Sequence, residues 1–336
     1  MDRNQDPIQR EADESRDLYD VVYWEPRTTV DSIAVAVYNA SLATLRALVI
    51  ALAVVILLAQ VVLGGLGIVV DPVIGTLVLL SIVPALAIAA YIWYIDVTTR
   101  EPLTLLVTTF MLAVLFAGFA AIVNSVGIVP FMAFAGILAA TTPIAEGGAS
   151  FLGLVLFFFI IVGPIEEAVK LLAVRLHAYR SERFDAVING TVYGAAAGLG
   201  FATIENAMYI AQGLQSGASG LQVVGPAGDV AAARALAGPG HVLYSAIAGY
   251  YLGLAKFNPG NSGPLVVKGI LIAAFFHALY NSLVGPVPEM IAATVPPIGQ
   301  FEAVFGFVVL YLSVVGYFLY LKIEGYRRNY DELGLR

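Results

Sequence analysis

Long uninterrupted runs of apolar residues dominate this sequence, and they restrict the chain to structures that satisfy every backbone hydrogen bond internally. A helix needs about 20 apolar residues to cross the hydrocarbon layer of a bilayer. The chain has 336 residues, of which 60% are hydrophobic and only 12% are charged, whereas a soluble domain has about 25% charged residues. We therefore expect an all-α, polytopic transmembrane helix bundle, located in the cell membrane as a multi-pass protein in contact with the lipid bilayer. The predicted spans lie near 47–70, 75–95, 103–124, 150–174, 186–210, 240–256, 266–285 and 301–321.

The distribution of basic residues decides how often the chain crosses the membrane. Residues 127–141 are apolar but short, and a proline and a glycine interrupt them, so they form either a ninth span or an interfacial segment. With eight spans and a cytoplasmic N-terminus, all Lys and Arg residues except Lys170 and Arg234 lie on the cytoplasmic side. A ninth crossing would move the basic residues of 175–183 outside, against the positive-inside rule. We therefore expect about eight spans, with both termini cytoplasmic.

The regions outside the spans are polar or rich in small residues. We interpret residues 1–40 as an acidic, partly disordered cytoplasmic tail, 41–325 as the transmembrane domain, and 326–336 as a cytoplasmic C-terminal tail. The loop 211–239, rich in Gly, Ala and Ser, is expected to be flexible and on the outer side. The chain contains no cysteine, which excludes disulfides and thiolate metal sites. The net charge of −7 favours no nucleic-acid partner, and no pattern indicates an oligomeric state.

Ionisable and amide side chains occur inside the predicted spans, where their burial is costly and therefore suggests a function. Glu166 and Lys170 are four residues apart, so they share one helix face and can pair. His277 and Asn281 have the same spacing on a later span. Glycines at four-residue spacing precede Glu205 and favour close helix packing. Each residue alone has a structural explanation, but together they indicate one polar site. The candidate site residues are Glu166, Glu167, Lys170, Glu205, Asn206, His241, His277 and Asn281.

These residues fall into four motifs that follow one another along the chain. The motifs are Glu166-Glu167-x-x-Lys170, Phe201-x-x-x-Glu205-Asn206, His241, and His277-x-x-x-Asn281. In this order they resemble the PrsW family of intramembrane proteases, which is similar in turn to the type II CAAX prenyl endopeptidases and the bacteriocin-processing membrane proteases. The resemblance covers about residues 78–285. Some members carry Asp where this chain has Asn281, which argues against a metal-ligand role there but not against hydrogen bonding to a substrate.

The resemblance implies an intramembrane endopeptidase that cleaves a single-pass, anti-sigma-like membrane protein. The residue types suit that reaction. Glu166 or Glu167, buried in an apolar cavity and steadied by Lys170, can deprotonate a water molecule. His241 and His277 can hold that water or protonate the leaving amine, and the amides of Asn206 and Asn281 can stabilise the oxyanion.

The same side chains also suit a divalent metal such as zinc, which takes three protein ligands and a water at catalytic sites. The candidate ligands are Glu167, Glu205, His241 and His277. The resemblance leaves both possibilities open, because the PrsW family is classed with the metalloproteases and the related CAAX group suggests a metal-free glutamate mechanism. No cofactor is certain from the sequence, and we favour the metal-independent mechanism, with zinc as the alternative.

The predicted spans do not bring these residues to one level. Glu166 lies about five residues to the inner side of its span centre and Glu205 about seven to the outer side of its own, a separation of ~18 Å along the membrane normal. One shared site requires the Glu166 helix to run from about 164 to 180, with 127–162 forming an outer, re-entrant or spanning layer. The site is then expected in the extracytoplasmic half, open to water on that side.

Two other functions would use the same residues. A proton- or cation-coupled transporter needs intramembrane carboxylates, and a non-catalytic membrane scaffold would keep the fold without the reaction. The order of the motifs argues against the transporter, and the presence of every motif residue argues against the scaffold.

Overall fold

The computed structural model describes residues 6–13, 15–41, 72–212 and 224–335, and the regular secondary structure within these ranges is helical. The predicted all-α class is therefore confirmed. The predicted span 47–70 lies outside the described residues. We number the helices α1 (Pro7–Glu11), α2 (Thr29–Ser41), α3 (Pro72–Tyr94), α4 (Leu103–Thr141), α5 (Glu146–Phe157), α6 (Gly163–Leu176), α7 (Val187–Gln212), α8 (Val224–Phe257), α9 (Ser262–Leu283), α10 (Pro286–Thr294) and α11 (Gln300–Glu332).

Six helical stretches of the described chain are long and apolar enough to cross a membrane, and each overlaps a predicted span. The stretches are Gly75–Tyr94, Leu103–Thr141, Glu146–Arg180, Val187–Ala211, Pro259–Leu283 and Gln300–Glu332. The predicted span 240–256 lies within α8, which is not among these six. The multi-pass membrane bundle is confirmed, while the count of eight spans and the cytoplasmic termini stay predictions.

Residues 127–141 form neither a ninth span nor a separate interfacial segment. They are the second half of α4, which is continuous over 39 residues and therefore about 58 Å long. This half packs against α5, where a Cβ placed on Gly153 would lie 2.9 Å from the carbonyl oxygen of Phe131. The second half of α4 and α5 thus form a helical hairpin, and α4 alone is longer than the ~30 Å hydrocarbon layer requires.

The helix that carries Glu166 has the shifted position that a shared site requires. Pro164 has no N–H, so the regular hydrogen-bond pattern cannot pass through it, and Phe158–Val162 just before it is a π-helical turn. Helix α6 starts at Gly163 and is followed by the 3-10 turn Ala178–Arg180. The start of α6 agrees with the predicted range from about 164 to 180, whereas its end lies at Leu176 and the preceding helix runs into it through the π-helical turn.

Glycines bring α7 and α8 into backbone contact at the centre of the bundle. A Cβ placed on Gly194 would lie 2.2 Å from the carbonyl oxygen of Ser245, and one on Gly198 would lie 2.3 Å from that of His241. No side chain fits between the helices at these levels. The close packing predicted from the glycine spacing is confirmed, and it sets the helix of Glu205 directly against the helix of His241.

The acidic N-terminal segment is packed onto one end of the bundle. The Oδ2 atom of Asp6 accepts a hydrogen bond from the Val187 N–H at 2.7 Å. Asp20 accepts one from Lys268 at 3.0 Å and another from Lys322. These carboxylates connect the segment to α7, α9 and α11. The expectation of a partly disordered tail therefore does not hold for 6–13 and 15–41, because Asp6 and Asp20 attach this segment to the bundle.

Candidate active site

Glu167, on α6, is fixed by three neighbours inside the bundle. Its Oε1 atom accepts a hydrogen bond from Lys170 Nζ at 2.7 Å and lies 2.9 Å from His277 Nδ1. Its Oε2 atom accepts a hydrogen bond from Ser245 Oγ at 3.2 Å. Both carboxylate oxygens are engaged and the side chain is fully buried. Glu167 therefore holds other site residues in place rather than facing a substrate.

Glu166 is less completely bound than its neighbour. Its Oε1 atom accepts a hydrogen bond from Asn124 Nδ2 at 2.9 Å. Its Oε2 atom is buried, has no hydrogen-bond partner in the described part of the chain, and lies 3.7 Å from both Lys170 Nζ and His277 Nε2. Asn124 was missed in the sequence analysis, although an asparagine in an apolar span is a signal of the same kind as the others.

The two histidines meet edge to face, with ring centroids 5.1 Å apart. His241 Nδ1 lies 2.9 Å from Lys170 Nζ, and His241 Nε2 lies 2.7 Å from Glu205 Oε2. Because an ammonium group only donates, Nδ1 of His241 accepts and its Nε2 carries the proton. Because an ionised carboxylate only accepts, His277 donates its Nδ1 proton to Glu167. The Nε2 lone pair of His277 then faces Glu166.

Glu205 is paired with a cation that the sequence analysis assigned to a loop. Arg234 Nη2 donates to Glu205 Oε2 at 2.7 Å, and Arg234 Nε donates to Asn206 Oδ1 at 2.9 Å. The expectation of a flexible loop is wrong for residues 224–239, which belong to α8. Arg234 precedes His241 by seven residues, so both lie on one helix face. That spacing was the signal in the sequence.

The two asparagines of the motifs lie in different surroundings. Asn206 is fully buried, and its Nδ2 donates to Ser81 Oγ at 3.0 Å. Its amide thus joins α7 to α3 and to Arg234, a placement that gives no support to its predicted oxyanion role. Asn281 is half-buried and lines the cavity between the catalytic candidates.

One cavity of about 380 Å³ joins the polar side chains of the site. The carboxylate, guanidinium, imidazole and amide groups of its lining belong to Asn124, Glu166, Glu205, Arg234, His241, His277 and Asn281. It reaches the C-terminal ends of α7 and α9 at Tyr209 and Val284, away from the N-terminal segment. The opening to the extracytoplasmic side stays a prediction, since it depends on the orientation of the bundle in the membrane.

Donor atoms of Glu166, His241 and His277 lie within 4.8 Å of one another, close enough to hold one metal ion. This set differs from the predicted ligands in two respects. Glu166 takes the place of Glu167, because both oxygens of Glu167 are bound by Lys170, Ser245 and His277. Glu205 lies beside the set through its contact with His241.

Comparison with known proteins identifies the family. Residues 101–317 match the sequence profile of the PrsW family of intramembrane metalloproteases. Protease PrsW of Geobacillus kaustophilus is 30% identical over 209 residues, which are 62% of this chain and 79% of that protein. Protease PrsW of Bacillus subtilis is 26% identical over 218 residues, 64% of this chain and 86% of that protein. No solved structure matches the chain significantly. The matched region is well over half of the chain and contains every side chain of the cavity, and the chain therefore belongs to the PrsW family of membrane-embedded peptidases.

Proposed function

We propose that this protein cleaves a peptide bond of a single-pass membrane protein, within or next to the bilayer, with water activated in the cavity described above. The observation that carries the proposal is the convergence of ionisable side chains from four helices on one cavity. Glu166, Glu205, His241 and His277 come from α6, α7, α8 and α9 in turn. Buried ionisable groups are costly in a membrane protein, so such a cluster is best explained by chemistry.

A divalent cation such as zinc fits the donor set. Two imidazoles and one carboxylate are a ligand set that zinc takes at hydrolytic sites, where it keeps one position for water. Glu166 Oε2 is buried without a hydrogen-bond partner among the described residues. The Glu167 carboxylate fixes the His277 ring through Nδ1, which is the usual support for a histidine that coordinates through its other nitrogen. His241 would join the set through Nε2 as its other tautomer, in which the ring proton lies on Nδ1.

The charges of the site also favour a bound cation. When all are ionised, three glutamates, 166, 167 and 205, share the site with two basic side chains, Lys170 and Arg234. One negative charge is therefore left in a buried place, where an unbalanced charge is expensive. A bound ion would balance it, acidify a water molecule and polarise the substrate carbonyl. On these grounds we propose a metal-dependent reaction in place of the metal-independent one favoured by the sequence alone.

The side chains around the donors have separate tasks in this proposal. Glu205 is the general base, because it lines the cavity and is not one of the three clustered donors. It accepts a proton from the attacking water and returns it to the nitrogen of the leaving amine. Arg234 keeps Glu205 ionised and in place. Lys170 and Glu167 fix the two imidazole rings, and Asn281 is placed to bind the substrate backbone.

The size of the cavity bears on the form of the substrate. A volume of about 380 Å³ is at the lower end of ordinary ligand pockets, and it cannot admit an intact helix, whose diameter is about 10–12 Å. The substrate must therefore present a short unwound stretch. We propose an anti-sigma-like, single-pass regulator that is cut near one end of its transmembrane helix.

Cleavage in proteoliposomes tests this proposal. A single-pass reporter peptide with a fluorophore and a quencher on either side of its helix end should be cut by the wild type and not by Glu166→Gln or His277→Ala. Glu146→Gln and His177→Ala are matched controls, because both side chains are exposed and outside the cavity, and they should cut normally. Normal cleavage by the first pair would refute the proposed site. Proton or cation flux without cleavage would support the transporter instead.

Metal content gives a second, independent test. The purified wild type should contain about one zinc per chain by mass spectrometry, and Glu166→Gln and His277→Ala should each lose most of it. Phenanthroline should stop cleavage, whereas its non-chelating meta isomer should not. Full activity in protein stripped of metal would refute the metal-dependent reaction and support a metal-independent glutamate mechanism.

A further inference from the structure

Three buried polar atoms in the wall of the cavity have no hydrogen-bond partner in the described part of the chain. They are Glu166 Oε2, Asn124 Oδ1 and the hydroxyl of Tyr244. Such atoms are rare in folded proteins because leaving them unpaired costs folding free energy. Glu166 and Asn124 already bond each other through their other polar atoms. The hydroxyl is the only polar atom of the Tyr244 side chain, so this side chain has no other hydrogen bond. We therefore expect a ligand to bind next to it.

Tyr244 is held against the clustered donors. It follows His241 by three residues on α8, which places both on one face of the helix. Its ring stacks on the His277 ring, with centroids 5.3 Å apart and 22° between the planes. The side chain is only 1% exposed. The phenol is therefore fixed by packing and does not depend on its hydroxyl to stay in place.

The position of the hydroxyl follows from the helix and from one glycine. Side chains on a helix point toward its N-terminus, so the phenol reaches back along α8 to the level of Gly240. A Cβ placed on Gly240 would lie 2.9 Å from the Tyr244 hydroxyl oxygen. The missing side chain of Gly240 leaves room for the hydroxyl, and Tyr244 is one of the residues that line the cavity.

We propose that Tyr244 is a catalytic residue that donates a hydrogen bond to the oxyanion formed during peptide hydrolysis. This inference rests on the proposed protease function. When water adds to the carbonyl carbon, the C=O π electrons move to oxygen, and the neutral phenol donates to that oxygen while keeping its own proton. When the C–N bond breaks and the amine leaves, the electron pair on this oxygen re-forms the C=O π bond. Of the two asparagines that the sequence suggested for this task, Asn206 is engaged with Ser81 and Arg234 instead, and Asn281 lines the cavity as a second candidate donor.

A fixed, buried donor suits this task better than a flexible one. Donors aimed at the developing charge in a water-excluded site need no reorganisation during the reaction, and each contributes on the order of 100-fold to the rate. An unpaired hydroxyl lowers the stability of the resting protein, and that cost is recovered only when the oxyanion forms. The arrangement therefore predicts opposite effects on rate and on stability when the hydroxyl is removed.

Tyr244→Phe tests this directly, because it removes the hydroxyl and keeps the ring that stacks on His277. In proteoliposomes we expect kcat of this variant to fall on the order of 100-fold below that of the wild type and KM to change little. Its melting temperature should stay the same or rise. A phosphinic peptide, whose anionic oxygen imitates the oxyanion, should lose affinity by a similar factor. The matched control is Tyr250→Phe on the same helix, whose hydroxyl donates to the Asp20 carbonyl oxygen at 2.8 Å. It should lower the melting temperature and leave kcat unchanged.

Two outcomes would overturn the assignment of Tyr244. In the first, Tyr244→Phe has a kcat within about threefold of the wild-type value while Glu166→Gln is inactive. This result would refute the catalytic role of Tyr244 and leave the proposed protease site intact. The other is an effect like that of Tyr250→Phe, with a lower melting temperature and an unchanged kcat, which assigns the hydroxyl a structural role. Normal cleavage by Glu166→Gln would instead refute the proposed function on which the inference rests.

Discussion

The glycine contact between α7 and α8 determines where His241 lies, and Gly198→Ala tests that dependence. A Cβ on Gly198 would lie 2.3 Å from the carbonyl oxygen of His241 and 2.7 Å from its carbonyl carbon, whereas ordinary contacts begin at 3.4 Å. The atoms in the way are backbone atoms, which cannot turn aside as a side chain can. The two helices must therefore move apart by roughly 1 Å at the level of His241.

That displacement should affect both stability and catalysis. Overpacking in a close-packed core costs about 1–3 kcal/mol, and a misplacement of about 1 Å in a catalytic group can lower the rate on the order of 100-fold. His241 would move relative to its two partners, Lys170 on α6 and Glu205 on α7, because neither partner is on α8. We therefore expect Gly198→Ala to melt several degrees lower and to lose most of its kcat.

The assay compares melting temperature in detergent with kcat in proteoliposomes for a set of Gly→Ala variants. Gly136, in α4, is the first control, because a Cβ there would meet nothing within 4 Å. Gly238 is the closer control, since it lies on α8 near His241 and a Cβ there would make only an ordinary contact of 3.4 Å with Ala85. If Gly198→Ala melts and cleaves like these two controls, the helix contact does not position His241 and the reasoning is wrong.

Three further predictions concern other parts of the molecule. Arg234→Gln should lower kcat at least about tenfold with a smaller change in KM, because Glu205 loses the cation 2.7 Å away, and Arg234→Lys should restore part of the cleavage rate. Burial raises the pKa of Glu101 to about 8, so the stability that its protonated form contributes is lost as the pH rises through that value. Glu101→Gln should therefore gain in melting temperature relative to the wild type as the pH rises from about 4.5 to about 8, and the difference should stay constant above that. Asp20→Asn should weaken the ion pair with Lys268 and destabilise the fold by about 2 kcal/mol in denaturant titration, with no change in kcat.

Each of these predictions has a result that would contradict it. Equal kcat in Arg234→Gln and wild type would show that the general base does not need this cation. Parallel curves of melting temperature against pH for Glu101→Gln and wild type would show that the carboxyl group is ionised throughout. Asp13→Asn changes an exposed acidic residue of the same N-terminal segment, and a stability loss as large as that of Asp20→Asn would mean that the Lys268 contact is not the cause.

The ionisable part of the site could be found in the sequence because a membrane makes such residues conspicuous. Glu166, Glu205 and His277 stand out in apolar spans, and the structure brings them to one cavity. Asn124 and Tyr244 carry a weaker signal, since neither is ionisable near neutral pH and tyrosines are common in this chain. Their importance depends on which polar atoms lack partners, and that can be seen only when all neighbours are in place.

Two expectations were wrong for the same physical reason. Composition reports the average polarity of a segment, whereas folding depends on the partner each polar group finds. The acidic N-terminal segment seemed suited to water, yet Asp20 pairs with Lys268, which lies 248 residues further along the chain. Residues 224–239 were read as a loop from their small residues, yet they extend α8 and carry Arg234 to Glu205.

The hydrogen bonds of the site form one chain with a single open end. It runs through Arg234, Glu205, His241, Lys170, Glu167 and His277. The carboxylates of Glu205 and Glu167 accept from the donors on either side of them, and Lys170 also donates to His241, so each neighbour fixes where the next proton lies. The chain stops at His277 Nε2 and Glu166 Oε2, 3.7 Å apart, where a lone pair faces a carboxylate oxygen and no described donor lies between them. Two acceptors that face each other in a buried place need a cation or a proton donor between them. The open end of the network therefore supports the bound cation proposed above, because the Lys170 ammonium, also 3.7 Å from Glu166 Oε2, is too far away for a hydrogen bond.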